Sequence, residues 1–277
     1  MELFEELRVR LGTLGMREWS GEIDDFGLDL DALETARPAF DFLLDRWWRA
    51  GLLHASRVPE AGPALVVANR SGLLPWDGLM LAHALERLCP AAGRPRFLVA
   101  DWLMALPFVH PAVVRYGGVR ACPENTSRLL RAGARVIAFP EGQRGAAKVF
   151  RERYRLRRFG RGGVVRVALR AGVPLLPVGV VGAEEVHPVL FKITGPARSL
   201  GLPFLPVTPT FPWLGPFGAL PLPSRWVIAF GEPLDLDGLS AEDAEDDLLV
   251  SRLTLELRRR IARLVDEGLK ARSGVFA

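Results

Sequence analysis

Cysteine, histidine and lysine are all scarce in this sequence, and each scarcity bears on function. The chain has 277 residues but two cysteines, Cys89 and Cys122, which are too few for a disulfide framework and indicate a reducing compartment. The motifs HExxH, CxxC and GxSxG and the P-loop are absent as well. We therefore predict no metal site, no bound cofactor and no serine-hydrolase elbow.

A large excess of charge of either sign is also missing. Lysine and arginine together number 36 against 32 acidic residues, and lysine occupies positions 148, 192 and 270 alone. An arginine-rich surface suits carboxylate and phosphate ligands, although a GC-rich genome produces the same composition without any functional reason. Because the formal charge is +4 and the segment described next is strongly apolar, we predict no nucleic-acid partner.

One apolar segment, residues 199–224, carries no charge and is long enough to cross a bilayer, but it contains seven prolines. Each proline removes a backbone donor and breaks helix geometry, so the sequence predicts an extended loop and no transmembrane helix. The loop either covers the core or presents Phe204, Phe211, Trp213 and Phe217 to a membrane surface or an acyl chain.

Residues 1–60 form a predicted N-terminal region of helical character. Helical patterns cover residues 1–14 and 38–54, an acidic turn with helix caps lies between them, and the charged start lacks the apolar core of a secretory signal. In the second pattern Trp47 and Trp48 lie beside arginines. This helix is either docked on its own domain or placed at a membrane interface.

The rest of the chain alternates between strand and helix patterns. Apolar runs predict strands, periodic stretches predict helices, and residues 249–264 continue a helical stripe with Ser240 and Asp243 as its capping box. We predict an α/β fold with a central mixed, largely buried β-sheet flanked by helices, in a domain of residues 61–235 followed by a C-terminal helix within 236–277. The predicted strands are 64–69, 96–100, 113–119, 135–139, 174–181 and 226–230, and the predicted helices are 76–88, 123–132 and 163–171.

Polar side chains gather where the predicted strands end, which is where α/β sheets place their ligand sites. Asn69, Arg70, Ser71 and Asp77 follow the first of these strands. Glu141, Gly142 and Arg144 follow the strand at 135–139, and nine basic residues lie between positions 148 and 170. Glycines at 160, 162 and 163 open the next helix beside these arginines, which suggests a phosphate cradle.

Four blocks in this order resemble the glycerophosphate and lysophospholipid acyltransferase superfamily. They are an Asn-x-Ser turn with Asp77, Gly117-Gly118-Val119, the stretch FPEGQR and the stretch VPLLPV. The apolar segment after residue 198 resembles a bacterial branch related to diacylglycerol-acyltransferase-like proteins. The resemblance covers most of the chain and implies the fold named above, with helical additions at both ends.

The resemblance also implies a reaction. An acyl group passes from acyl-CoA or acyl carrier protein to a hydroxyl of a glycerol phosphate or a lysophospholipid, with a histidine as general base and an aspartate that orients it. Asp77 matches that aspartate. Asn69, Ser71, Arg120, Glu141, Gly142 and Arg144 match positions expected to bind substrate or phosphate. The implied partners are an anionic lipid or lysolipid and a membrane surface, with the protein on the cytoplasmic face.

Arg70 occupies the position at which the family has its histidine, and six residues separate it from Asp77 where the family pattern has four. A guanidinium stays protonated at neutral pH and cannot act as a base. Three hypotheses follow: an acyltransferase-family protein whose activity is low or lost, an active enzyme that uses another base, or a non-catalytic lipid- or thioester-binding module that regulates an active relative.

Overall fold

A seven-stranded β-sheet forms the centre of the computed structural model, which describes residues 23–104, 106, 109–199, 202–234 and 236–276. Its strands are β1 (Gly51–Leu53), β2 (Ala64–Ala68), β3 (Arg96–Val99), β4 (Gly118–Arg120), β5 (Arg135–Ala138), β6 (Leu175–Val181) and β9 (Val227–Phe230). Their order across the sheet is β1-β9-β6-β2-β5-β3-β4. A separate hairpin pairs β7 (Phe191–Ile193) with β8 (Leu205–Val207).

Five neighbouring strands of this sheet, β6, β2, β5, β3 and β4, run parallel, so their carboxyl ends share one edge. β9 is antiparallel to β6, and β1 is parallel to β9. Every residue of β2, β5 and β6 is buried, as expected for strands covered on both faces. The predicted mixed, largely buried sheet is therefore confirmed.

Helices cover both faces of the sheet. They are α1 (Leu30–Asp41), α2 (Trp76–Leu88), α3 (Asp101–Met104), α4 (Val109–Arg115), α5 (Pro123–Arg131), α6 (Gly142–Ala146), α7 (Gly163–Ala171), α8 (Gly195–Ser199) and α9 (Asp247–Ala271). The Asp246 carboxylate caps α9 by accepting the N–H groups of Leu248 and Leu249. Ser240 and Asp243 bond each other in the preceding turn, so the predicted capping box is displaced from the helix start.

The C-terminal helix α9 lies against β6 and buries Leu257, Ile261 and Leu264. A Cβ added at Gly179 of β6 would lie 2.7 Å from the backbone of Leu264. The helix therefore reaches the sheet at a separation that glycine permits and a larger residue would prevent.

Two secondary-structure predictions in the N-terminal half of the chain differ from the structure, and a third concerns residues that the structure does not describe. The segment 113–119 was predicted to be a strand. It consists of the end of α4, a turn at Gly117 with φ +101° and the start of β4. The valines at 113 and 114, a residue type that favours strands, belong here to a helix. The pattern at 38–54 belongs to α1, which begins earlier at Leu30 and continues as a π-helical turn, Phe42–Trp47, before β1. The predicted helix at 1–14 lies outside the described residues.

Residues 202–224 of the apolar segment form an extended loop, as predicted, except for β8 and a short 3₁₀ turn at Gly215–Ala219. The indole N–H groups of Trp47 and Trp48 donate to the carbonyl oxygens of Pro221 and Leu222, each at 3.1 Å. The predicted helix and loop thus meet on one surface. Within the described ranges, no helix combines the length and apolarity that spanning a bilayer requires.

Candidate functional site

The loop between β2 and α2 places Arg70 beside Asp77 at the carboxyl edge of the sheet. Nη1 of Arg70 donates to Oδ1 of Asp77 at 2.7 Å, and both side chains are buried. The same oxygen accepts the N–H of Gly78 at 2.8 Å, and Oδ2 accepts the N–H of Ser71 at 2.8 Å. Asp77 therefore orients a guanidinium in the place where the family resemblance implies an imidazole.

Asn69 fixes the start of this loop to the neighbouring strand. Its Nδ2 donates to the carbonyl oxygen of Val180 at 2.9 Å, and its Oδ1 accepts the N–H of Val180 at 2.7 Å. The side chain is fully buried and uses both polar atoms in this pair. Asn69 therefore extends the β2–β6 pairing, and the substrate contact predicted for it stays a prediction.

Glu141 fixes the other side of the loop. Its Oε1 accepts the backbone N–H of Arg70 at 2.9 Å, and its Oε2 accepts the backbone N–H of Arg157 at 2.7 Å. The carboxylate is buried and each oxygen is occupied. Glu141 thus joins the β2–α2 loop to the basic segment that follows α6, and the substrate contact predicted for it stays a prediction.

Lys148 lies between Glu141 and a second buried carboxylate, Glu184. Its Nζ is 2.8 Å from Oε1 of Glu184 and 3.6 Å from Oε2 of Glu141. Burial raises the pKa of Glu184 to about 7, against the lowering effect of Lys148 and with a further raising effect from Glu141. This group of three residues lies behind the Arg70 loop, and Glu184 is its member with a pKa near neutral pH.

An apolar cavity of about 260 Å³ opens beside Arg70. Its walls include Leu98, Trp102, Phe139 and Val164, and Arg70 is the one charged side chain among the described residues that line it. The guanidinium carbon of Arg70 lies 4.9 Å from the centroid of the Phe139 ring. The site can thus hold an apolar chain next to a fixed cation that cannot accept a proton.

Other predicted site residues lie around this cavity without forming one binding cluster. Gly142 lines it, and Arg144, two residues further along α6, is exposed. Arg120 is exposed at the end of β4, where Asp101 binds its guanidinium at 2.8 Å. The Ser71 hydroxyl is buried and has no hydrogen-bond partner in the described part of the chain. The substrate contacts assigned to these four residues stay predictions.

The predicted aromatic contacts separate into two groups. Trp213 and Phe217 are 74% and 73% exposed, so both are available to an apolar surface. Phe211 is half-buried. Phe204 is 3% exposed and lies beneath Lys192 of the β7–β8 hairpin, so it cannot contact a membrane, and it does not line the cavity beside Arg70.

The glycine-rich start of α7 has a packing explanation. Gly162 has φ +76°, and a Cβ added there would lie 2.3 Å from Cγ1 of Val250 on α9. This close approach requires glycine at 162, whereas a Cβ at Gly160 or Gly163 would meet no atom within 4 Å, and the predicted phosphate cradle stays a prediction.

The sequence patterns did not predict Lys148, Glu184 or most of the cavity walls as parts of the site. Lysine is rare in this chain, and Lys148 stands in a segment whose other basic residues are all arginine, which is a signal that could have identified it. A compact ammonium fits between two carboxylates where a planar guanidinium would need more room. The cavity had no local signal, because β3, α3, α5 and α7 contribute to it together.

Comparisons with known proteins agree with this geometry. Residues 53–181 match the family model described as Acyltransferase. The chain is 41% identical over 255 residues to an uncharacterized protein of Mycobacterium tuberculosis, an alignment that covers 92% of this chain and 71% of that protein. An uncharacterized protein of Mycobacterium leprae is 42% identical, with 92% and 70% covered.

The fold is also found in a solved structure. The crystal structure of the 1-acyl-sn-glycerophosphate acyltransferase PlsC from Thermotoga maritima superposes with a TM-score of 0.52 at 20% identity, covering 98% of this chain and 90% of that one. The shared sheet and flanking helices confirm the fold class, and the family model confirms the resemblance. Through residues 53–181 the chain therefore belongs to the acyltransferase family.

Proposed function

We propose that this protein binds the acyl chain of a thioester or a lysolipid in the cavity beside Arg70 and transfers it slowly or not at all. The donor would be acyl-CoA or acyl carrier protein, and the acceptor a hydroxyl of a glycerol phosphate or lysophospholipid. In such a transfer the acceptor hydroxyl must lose its proton as it attacks the thioester carbonyl, so the rate depends on a nearby base.

The observation that carries the proposal is the buried Arg70–Asp77 pair at the mouth of the cavity. The guanidinium remains protonated, and the oxygens of Asp77 accept three N–H groups, which leaves this carboxylate poorly placed to take a proton from an acceptor. Glu184 has a pKa of about 7 but lies behind the loop on Lys148 and does not line the cavity. The second hypothesis, an enzyme that uses another base, therefore has no carboxylate or imidazole among the described cavity-lining residues, where the free thiol of Cys122 is the remaining candidate.

Loss of general-base assistance slows a reaction by roughly 10²–10⁴-fold. The test compares the wild-type protein with Arg70→His, using palmitoyl-CoA with glycerol 3-phosphate or lysophosphatidate and measuring release of CoA. We expect turnover far below the usual enzyme range of about 1–10³ s⁻¹ in the wild type, and a rise of about 10²-fold or more in Arg70→His.

Two further variants show whether a gain in Arg70→His comes from a new base. Arg70→Gln removes the cation without adding a base, so it should stay as slow as the wild type. Arg70→His combined with Asp77→Asn should lose the gain, because the imidazole would no longer be held in the required tautomer. Turnover of the wild type at ordinary enzyme rates would contradict the proposal.

If Arg70→His is also inactive while both proteins bind palmitoyl-CoA, the protein is better described as a non-catalytic binding module. Such a module would regulate an active relative by holding a lipid or thioester. Binding measured by calorimetry in both proteins, together with an unchanged melting temperature, distinguishes this outcome from a variant that has simply unfolded.

We further propose that the protein associates peripherally with the inner face of a membrane through its exposed apolar loop. Trp213, Leu214, Phe217 and Leu220 are all more than half exposed on one short stretch of that loop. The indole contacts of Trp47 and Trp48 with the carbonyl oxygens of Pro221 and Leu222 tie the loop to the turn after α1, where Arg46 and Arg49 are exposed. Apolar side chains beside arginines suit a bilayer that contains anionic lipid.

Co-sedimentation with vesicles tests this second proposal. The protein should pellet with phosphatidylglycerol vesicles more than with phosphatidylcholine vesicles, and the double change Trp213→Ser and Phe217→Ser should reduce binding to both. Phe204→Leu serves as a control, because that side chain is buried. Equal binding by wild type and the double variant would disprove a role for this loop.

A further inference from the structure

The buried cluster behind the Arg70 loop consists of Glu141, Lys148 and Glu184, all less than 7% exposed. Glu141 is its link to the cavity, because its two oxygens hold the backbone N–H groups of Arg70 and Arg157. The α6 turn packs tightly here as well. A Cβ added at Gly145 would lie 2.6 Å from Cβ of Glu141 and 2.7 Å from Cβ of Arg70. The position of Arg70 is therefore set by groups outside its own loop.

We propose that Lys148 is a positioning residue that holds Glu141, and through it the backbone of Arg70 beside the cavity, and that Glu184 modulates this hold by competing with Glu141 for the ammonium. The functional consequence of this role rests on the proposed function, because the position of the Arg70 loop affects an acyl ligand only if the cavity binds one. The contacts that define it belong to the fold and are measurable without any ligand.

The cluster contains one ammonium for two carboxylates, and this imbalance makes it responsive to pH. When Glu184 is protonated, the charge of Lys148 faces Glu141 alone. When Glu184 is ionised, the two carboxylates share one cation, and Lys148 is already closer to Glu184, at 2.8 Å against 3.6 Å. Ionisation of Glu184 therefore weakens the hold on Glu141, and its pKa of about 7 puts this change near neutral pH.

The groups around Glu184 belong to two sets that share Tyr154. Lys148 and Glu141 face the Glu184 carboxylate, which also accepts a backbone hydrogen bond from Tyr154. The neighbouring Glu185 is bound by Arg272, with Arg153 at 3.8 Å, and Arg272 also donates to the Tyr154 hydroxyl at 3.1 Å. Glu185 and Arg272 are buried to the same degree as the Lys148–Glu184 pair but tie the C-terminal tail to the 3₁₀ turn Ala183–Glu185. This adjacent pair offers a matched control, with the same chemistry but no contact to Glu141 in the described residues.

Amide hydrogen exchange of the full chain tests the positioning role directly. In Lys148→Met we expect exchange at the Arg70 and Arg157 amides to accelerate at least about tenfold over the wild type, because the Glu141 carboxylate loses its cation. The control Arg272→Met should leave both amides unchanged while loosening the C-terminal tail. Unchanged exchange at the two amides in Lys148→Met would overturn the proposal.

Glu184→Gln tests the pH dependence and avoids a variant that fails to fold. At pH 6 it should match the wild type at the Arg70 amide, and at pH 8 it should exchange several-fold more slowly, because Lys148 serves Glu141 alone. Comparison at equal pH cancels the intrinsic pH dependence of exchange. Glu185→Gln should show no such divergence. A change in Glu185→Gln as large as that in Glu184→Gln would also overturn the proposal.

Binding of palmitoyl-CoA is measured on the same proteins as a separate readout. If the positioning role holds and the ligand binds, affinity should fall in Lys148→Met, and between pH 6 and 8 it should fall in the wild type but not in Glu184→Gln. If the wild type binds no palmitoyl-CoA while the exchange results are as expected, the proposed function fails and the positioning role stands.

Discussion

Two buried charge clusters meet at the loop after β2, and they differ in how their charges balance. In the first, one guanidinium faces one carboxylate, and two backbone N–H groups also donate to Asp77. In the second, one ammonium serves the two carboxylates of Glu141 and Glu184. The first cluster is balanced in charge, whereas the second must leave one carboxylate poorly compensated or protonated.

The two clusters are therefore suited to different roles. A charge-balanced Arg70–Asp77 pair is suited to keep a fixed cation beside the cavity, which is the opposite of what proton transfer needs. The unbalanced cluster exchanges a proton near neutral pH but has no access to the cavity. The residue able to titrate and the residue beside the proposed ligand are therefore different, and the backbone of Arg70 connects them through Glu141.

The largest effect that tests this comparison is expected from Asp77→Asn. The change keeps the shape of the side chain but leaves the Arg70 guanidinium buried without a counter-charge. We expect the free energy of unfolding to fall by about 3–5 kcal/mol in chemical denaturation. The double change Arg70→Met and Asp77→Leu should lose much less, because it removes both charges together. Equal losses in the two proteins would show that breaking the ion pair is not the cause of the lower free energy of unfolding.

The unbalanced cluster should respond to pH in the opposite sense to a usual acidic residue. Burial raises the pKa of Glu184 to about 7, so the unfolded chain ionises it at lower pH than the folded chain does. Stability is then lost as the pH rises from the ordinary glutamate range to about 7, by up to about 3 kcal/mol. Glu184→Gln should match the wild type near pH 4.5 and exceed its stability at pH 8. Parallel stability curves for the two proteins would contradict the raised pKa.

A smaller effect is expected where both clusters touch α6. Gly145→Ala adds a Cβ within 2.7 Å of both Glu141 and Arg70 side-chain atoms, and this overpacking should cost about 1–3 kcal/mol in the free energy of unfolding. Gly163→Ala is the control, because a Cβ there meets no atom within 4 Å. If both substitutions have the same effect, the loss at Gly145 reflects backbone entropy and not close packing.

The smallest effect is expected from Arg120→Ala, which removes an exposed ion pair with Asp101. Solvent screens such a pair, so the unfolding midpoint should not shift measurably. The same variant sharpens the functional comparison, because Arg120 is a predicted phosphate ligand. A clear loss of affinity for lysophosphatidate with unchanged stability would support that prediction, whereas an unchanged affinity would remove Arg120 from the site.

Much of the fold could be predicted because its elements carry strong local patterns. The observed bounds of α2 and α7 are the predicted ones, and buried runs identified β2, β5, β6 and β9 to within one residue at either end. The missed elements were short. β1 and the β7–β8 hairpin have three residues per strand, too few to show a period. The segment 113–119 was wrongly predicted as a strand, because β-branched residues also pack well on a short helix that tertiary contacts stabilise.

The sequence by itself determined the strand–helix alternation, the family, and the position of Arg70 where a base is expected, because these depend on residues close together in the chain. Tertiary structure decided what the polar residues do. Asn69 and Glu141 bond groups 111 and 71 positions away in the chain and become parts of the scaffold. Burial and partner number set the charge state of Glu184, and both depend on chain segments that only folding brings together.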